Sequence, residues 1–184
     1  MKTVDLSAYH HHPEVTKVKP IWIRLSWFMV NALLFNTSLL PLSKIKVILL
    51  RLYGAKIDSG VVIKPRVNIK YPWKLEIGRF SWIGEGVWID NLSEVKIGSN
   101  VCISQSALLL CGNHDYKSPL FDLTVLPITI EDGVWIGAKS IVCPGVTCGS
   151  HCVLSLGSVA SKDLDAYGIY RGNPAVWIKK REIC

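Results

Sequence analysis

"IGRFSWIGEGVWID", residues 77–90, places isoleucine at 77, 83 and 89, with Ser81 and Val87 four residues after the first two. A spacing of six fits no helical stripe, whose neighbours fall three and four apart. It fits short strands joined by turns. Outward from this stretch, the spacing starts at Ile57, Ile63 and Ile69 and resumes at Ile97, Ile103 and Leu109. After a gap it runs through Ile130, Ile136, Val142, Cys148, Leu154 and Ala160. Thirteen of these fifteen positions are Ile, Leu or Val, and the residue four later is Val, Ser, Ala or Cys in twelve of fifteen. Each hexad therefore supplies one large and one small inward side chain. Three such strands make one triangular coil of a parallel β-helix, and stacked coils bury an aliphatic column that a single coil cannot. The expected fold is an all-β solenoid.

Coil starts at Ile57, Ile77 and Ile97 are 20 apart, three hexads plus the pairs Leu75-Glu76 and Val95-Lys96. Ile97 to Ile130 is 33, and Ile128-Thr129 falls where the extra pair belongs, so residues 115–127 read as an inserted long loop. Loops of that length in a regular scaffold tend to be functional or disordered. His114 stands at its root. Glycine follows the aliphatic residue at 78, 84, 98, 137 and 149, as a turn or a close backbone approach requires. Cys148 and Cys152 take the large and small inward positions of one hexad, which makes them core residues in preference to a Cys-x3-Cys metal site. Trp82 and Trp135 fall on outward positions of one face with Cys102 between them, an exposed aromatic column suited to a subunit interface.

One domain is expected from 184 residues, divided into a polar leader 1–20, an N-terminal helical segment 21–52, the β-helix 53–165 and a C-terminal extension 166–184. The apolar stretch 21–42 is interrupted by Arg24, Asn31, Asn36 and Pro41 and does not read as a membrane span. Packing on the main domain and lying on a membrane surface both fit it, with packing favoured. The net charge of +7 calls for an anionic partner, and the lack of a basic-aromatic run puts nucleic acid last. Six cysteines without a signal peptide indicate free thiols in a reducing compartment, hence a cytoplasmic protein, at most at the inner face of the membrane. His10, His11 and His12 read as a leader tail rather than a metal site.

The hexads, the loop after "GNHD", "PGVTCG" and "RGNPA" resemble the hexapeptide-repeat acyltransferases. "VNALLF", "RLYGAKI", "PWKLEIG", "NLSEVKIG", "ISQ" and "GNHDY" are most similar to the colanic acid O-acetyltransferase (WcaF-like) group, over roughly residues 25–181. The resemblance implies a left-handed parallel β-helix, a homotrimer, active sites between subunits, acetyl-CoA as co-substrate and no metal. It implies His114 as catalytic residue and Asn91 on the acceptor side. It puts Gly137, Ala138, Leu156, Ser161, Lys162 and Lys179 at acetyl-CoA, with Gly137 admitting the pantetheine arm and the lysines meeting phosphates. Where related enzymes carry arginine this chain has Val176, so that phosphate contact is either missing or supplied by Lys180 or Arg181.

An acceptor hydroxyl can attack a thioester directly if a base takes its proton, and imidazole suits that role. Glu94, five residues past Ile89 as His114 is past Leu109, Asp115, or a backbone carbonyl could hold the second ring nitrogen. A structural histidine satisfied by its turn is the competing reading. The expected function is O-acetylation of a sugar in bacterial surface polysaccharide synthesis, with a glycan or sugar acceptor. Serine, free sugars or antibiotics are alternative acceptors. A γ-carbonic-anhydrase-like zinc enzyme is disfavoured because only His114 and His151 lie in the solenoid. A solenoid without catalysis would leave "GNHDY" unexplained.

Overall fold

The computed structural model describes residues 3–9 and 19–184; His10, His11, His12 and most of the leader lie outside the described residues. Short parallel strands stack into three sheets. Sheet 1 contains Lys56–Ile57, Leu75–Ile77, Val95–Ile97, Ile128–Ile130 and Thr147–Cys148. Sheet 2 contains Val62–Ile63, Trp82–Ile83, Cys102–Ile103, Trp135–Ile136, Val153–Leu154 and Gly168–Gly172. Sheet 3 contains Asn68–Ile69, Trp88–Asp90, Leu108–Leu110, Ile141–Val142 and Val159–Ala160. The register joins like with like: Ile57, Ile77, Ile97, Ile130 and Cys148 form one column, and Ile63, Ile83, Ile103, Ile136 and Leu154 another. This is the expected β-helix, with five complete coils.

Both inward positions are buried as the pattern requires. The hexad starts are at most 6% exposed, and each buried isoleucine contributes about 1.5–3 kcal/mol. Ser81, Ser140 and Ser158 occupy small inward positions without an unpaired hydroxyl: Ser81 Oγ donates to Gly98 O at 2.7 Å and Ser140 Oγ to Ser155 O at 2.8 Å. Ser158 Oγ accepts from the Gly172 amide at 3.0 Å. The extra pairs have a packing role as well, since Leu75, Val95 and Ile128 point inward where the hexad alone would place Trp73, Ser93 and Asn113. All six cysteines are free, and Cys111, Cys148 and Cys152 are buried in the core.

A solenoid must end, and its first coil offers three bare strand edges. Two helices close it, α1 (Ile21–Val30), continued by a π turn Asn31–Phe35, and α2 (Ser43–Leu52). Trp27 and Phe35 insert into the core, and polar side chains reach each edge. Trp27 Nε1 donates to Ile69 O at 2.9 Å, and Asn31 Oδ1 accepts from the Ile69 amide at 3.3 Å. Ser43 Oγ accepts from the Ile63 amide at 2.8 Å, and Arg51 donates to Ile57 O from both Nε (2.9 Å) and a terminal nitrogen (2.6 Å). Lys46 is fully buried, donates to Lys64 O at 2.9 Å, and has its pKa lowered by desolvation. The helical segment packs on the main domain, and no helix among the described residues is long and apolar enough to cross a membrane.

At the other end Gly168–Gly172 extends sheet 2 and turns through Asn173-Pro174 into the antiparallel strand Ala175–Lys180. The insertion differs from its expected bounds. The chain leaves the coil at Gly112, and Gly112–His114 pairs antiparallel with Leu123–Val125. These backbone groups cannot reach the next coil, so they bond each other, and the loop proper is shortened to the tip of a hairpin.

Candidate active site

His114 is the last residue of the outgoing hairpin strand and is half-buried. Its register partner is Leu123, and the tip folds back so that the Phe121 carbonyl oxygen lies 2.8 Å from Nδ1. A carbonyl only accepts, so Nδ1 carries the proton and the neutral ring presents a bare Nε2. The Phe121 ring stacks on the imidazole, centroids 4.3 Å apart and planes 9° from parallel, and Tyr9 stands at 5.9 Å. Asn113 Oδ1 accepts from the His114 amide at 2.8 Å. Main chain and an aromatic wall thus fix the orientation of a ring whose Nε2 is able to accept a proton.

Neither carboxylate considered as an orienting group takes that place. Asp115 accepts from the Lys117 amide at 2.9 Å in a turn of the hairpin tip. Glu94 is exposed, and its charge acts on Lys74, opposing the downward shift that burial imposes on that ammonium. Lys74 itself donates to the Leu92 carbonyl. Asn91 is fully buried, and both halves of its amide hold the peptide of Tyr71 one coil below, accepting at 2.9 Å and donating at 2.6 Å. Its amide is committed to coil stacking. Beneath the hairpin, burial pushes the Cys111 thiol up to about 11.

Ala138 and Leu156 occupy the same turn position in consecutive coils, between sheets 2 and 3, with the Gly157 amide donating to Ala138 O at 2.8 Å. Leu156 is 78% exposed, an apolar side chain held out from the turn. Ser161 and Lys162 follow sheet 3 at its other margin, both exposed, and Lys179 lies on the antiparallel strand opposite Ile169. The acetyl-CoA candidates thus gather on the last two coils and the C-terminal extension, while His114 leaves from the third coil, one or two coils or roughly 5–10 Å lower along the axis. Gly137 has a packing reason of its own. A Cβ there would stand 2.7 Å from the Ser155 carbonyl carbon and 2.8 Å from Leu154 O, so stacking of the next coil excludes a side chain. Arg181 is also engaged: it donates to Gly133 O and His151 O, each at 3.0 Å, leaving Lys180 as the expected substitute for the arginine missing at Val176.

His151 is a corner residue, stacked beneath Tyr167 at 4.9 Å, on a different corner from the hairpin. No group of three His, Cys, Asp or Glu side chains able to hold a metal occurs among the described residues. Trp82 and Trp135 stand on sheet 2 on either side of Cys102, 56% and 48% exposed. A cleft of about 410 Å³ between α1 and sheet 3 escaped the sequence reading because its residues come from separated segments: Arg24, Phe28, Lys70, Tyr71, Trp88 and Asp90 line it. Its Lys70–Asp90 ion pair spans 2.8 Å beside the Trp88 ring. Aromatic faces beside paired charges suit a polar ring ligand.

No protein-family model matches the chain. It is 42% identical over 155 residues to WcaF of Escherichia coli, a protein assigned to colanic acid biosynthesis as an acetyltransferase, covering 84% of this chain and 85% of that one. A galactoside acetyltransferase solved with coenzyme A superposes with a TM-score of 0.78 at 26% identity, over 86% of this chain and 80% of that one. A hexapeptide-repeat acetyltransferase of Vibrio cholerae, solved with acetyl coenzyme A, superposes at 0.81 over 97% and 96% at 19% identity, a likeness of fold. The solenoid is the left-handed β-helix of these proteins.

Proposed function

We propose that this chain, which belongs to the hexapeptide-repeat acetyltransferases, carries acetyl from acetyl-CoA to a hydroxyl of a sugar, in the synthesis of a surface polysaccharide, with His114 as general base. The observation that carries the reading is the Phe121 carbonyl at Nδ1 of His114, because it leaves Nε2 free to accept a proton. The acceptor O–H proton passes to Nε2 while its oxygen attacks the thioester carbonyl. Collapse of the tetrahedral adduct breaks the carbon–sulfur bond, and the imidazolium returns the proton to the departing thiolate. No acyl-enzyme is required.

Ala138 and Leu156 would line the pantetheine arm, and Ser161, Lys162 and Lys179 would meet the phosphates. WcaF and the galactoside acetyltransferase support a sugar acceptor, and the Trp88 cleft offers the aromatic face such a ring would use. Assembly as a trimer would cover Trp82 and Trp135. Thiol release from acetyl-CoA, measured with and without a panel of saccharides, serine and chloramphenicol, tests this. An acetyl ester on a saccharide, detected by mass spectrometry, is expected; turnover with serine or chloramphenicol alone would reassign the acceptor.

A further inference from the structure

The helical cap has its apolar side outward. The side of α1 turned to the solenoid carries Trp27 and Asn31, which cap the first coil. Ile21, Trp22, Leu25, Phe28, Met29 and Leu33, on the opposite side of α1 and its π turn, are each 53–67% exposed. On α2, Ile45, Ile48 and Leu52 repeat the pattern three and then four residues apart, again exposed. A soluble helix normally shows the reverse.

Charge identifies what such a face fits. Residues 19–57 contain no Asp or Glu and six basic residues, Lys19, Arg24, Lys44, Lys46, Arg51 and Lys56, so this segment holds six of the chain's seven net positive charges. The rest of the chain contributes one. Lys46 is buried against the solenoid, Arg51 is held at Ile57 O and Lys56 pairs with Glu76, which leaves Lys19 and Lys44 beside the apolar face. An apolar face edged by cations complements anionic lipid, whose headgroups attract Lys and Arg while the acyl boundary takes Trp, Phe and Leu. Since no described helix can span a bilayer, the mode left is interfacial.

We propose that the outer face of α1 and α2 docks on an anionic phospholipid surface, both helices lying in the interfacial plane with Lys19 and Lys44 among the headgroups. The face borders the Trp88 cleft, whose wall Ile21, Leu25 and Phe28 share, but docking uses none of the residues assigned to acetyl-CoA or to proton transfer. It would also present the solenoid to acceptors held at the membrane.

Flotation of the full-length protein with phosphatidylcholine vesicles, with and without phosphatidylglycerol, is the test. Binding is expected only to the anionic vesicles and should weaken with salt. The double substitution Met29→Glu, Leu33→Glu, outside the Trp88 cleft, should lower binding at least tenfold, from the apolar burial lost, and Lys44→Glu about fivefold or more. All three side chains are exposed, so the melting temperature should hold, and acetyl transfer to a soluble sugar should be unchanged. Failure to float with anionic vesicles at low salt overturns the proposal, as does undiminished flotation of the double variant. A fall in the hydrodynamic mass of that variant would overturn it too, since the face would then be covered by a second copy.

Discussion

Phe121 holds His114 twice: its carbonyl oxygen lies 2.8 Å from Nδ1, and its ring lies flat on the imidazole at 4.3 Å. The two parts can be separated. His114→Ala removes the proposed base and should lower turnover by about 10² to 10⁴-fold. Phe121→Ala keeps the carbonyl and loses the wall, so turnover should fall by about 10- to 100-fold through misplacement of the ring. In both variants the Michaelis constant for acetyl-CoA should stay near its parent value. Steady-state kinetics decides; a His114→Ala protein that retains half its turnover would remove the base from the mechanism.

Lys162 and Arg181 should behave oppositely although both are late cations. Lys162 is exposed at the margin of sheet 3, and an ammonium remote from the thioester binds ground and transition states alike. Lys162→Ala should raise the Michaelis constant for acetyl-CoA about fivefold and leave turnover unchanged. Arg181 ties the C-terminal extension to Gly133 O and His151 O. Arg181→Ala should lower the melting temperature and leave the Michaelis constant alone. A reversal of the two outcomes would place the phosphates at Arg181.

The six-residue period made the coils legible because each strand is only two or three residues long and shows its neighbours one large and one small side chain. That signal is local to every hexad. What periodicity cannot carry is any contact between distant segments, and the unread parts are of this kind. Asn31, Ser43 and Arg51 look like ordinary polar residues of an apolar segment until the bare edges of the first coil are there to receive them. Phe121 carries no mark in the sequence, because the hairpin that returns it to His114 pairs residues nine to thirteen apart. Asn91 shows the converse: a family motif marked the residue, while the buried environment that commits its amide to Tyr71 depends on the coil below.

Cys111 gives a pH signature. Burial raises its thiol from about 9 to about 11, so the folded state resists ionisation that the unfolded chain permits. With the folded value above the unfolded one, this contribution to stability is complete below pH 9 and is lost as pH climbs toward 11. Cys148, raised by its hydrogen bond with Cys152 and by burial, acts in the same direction. The urea midpoint should therefore fall across this alkaline window, and Cys111→Ala should make the fall shallower. An identical alkaline slope in that variant would show that Cys111 ionises freely in the folded protein.

Gly137 and Gly157 lie in consecutive coils and should separate two reasons for glycine. Gly137 needs no unusual φ, but a Cβ would stand 2.7 Å from the Ser155 carbonyl carbon and 2.8 Å from Leu154 O, and both are main-chain atoms that cannot rotate away. Relief requires the coils to part where the Gly137 amide donates to Leu154 O at 2.7 Å. Gly157 is the reverse case: φ is 67° and a Cβ would meet nothing within 4 Å. Gly157→Ala should cost only the left-handed penalty, about 1–2 kcal/mol, whereas Gly137→Ala should cost about 3 kcal/mol or more through overpacking. Because the Gly137 turn also carries Ala138, opening it should raise the Michaelis constant for acetyl-CoA as well. Urea unfolding and acetyl-CoA kinetics on the two variants provide the comparison. If Gly137→Ala is the milder of the two in stability, the close coil contact is not what excludes a side chain at that position.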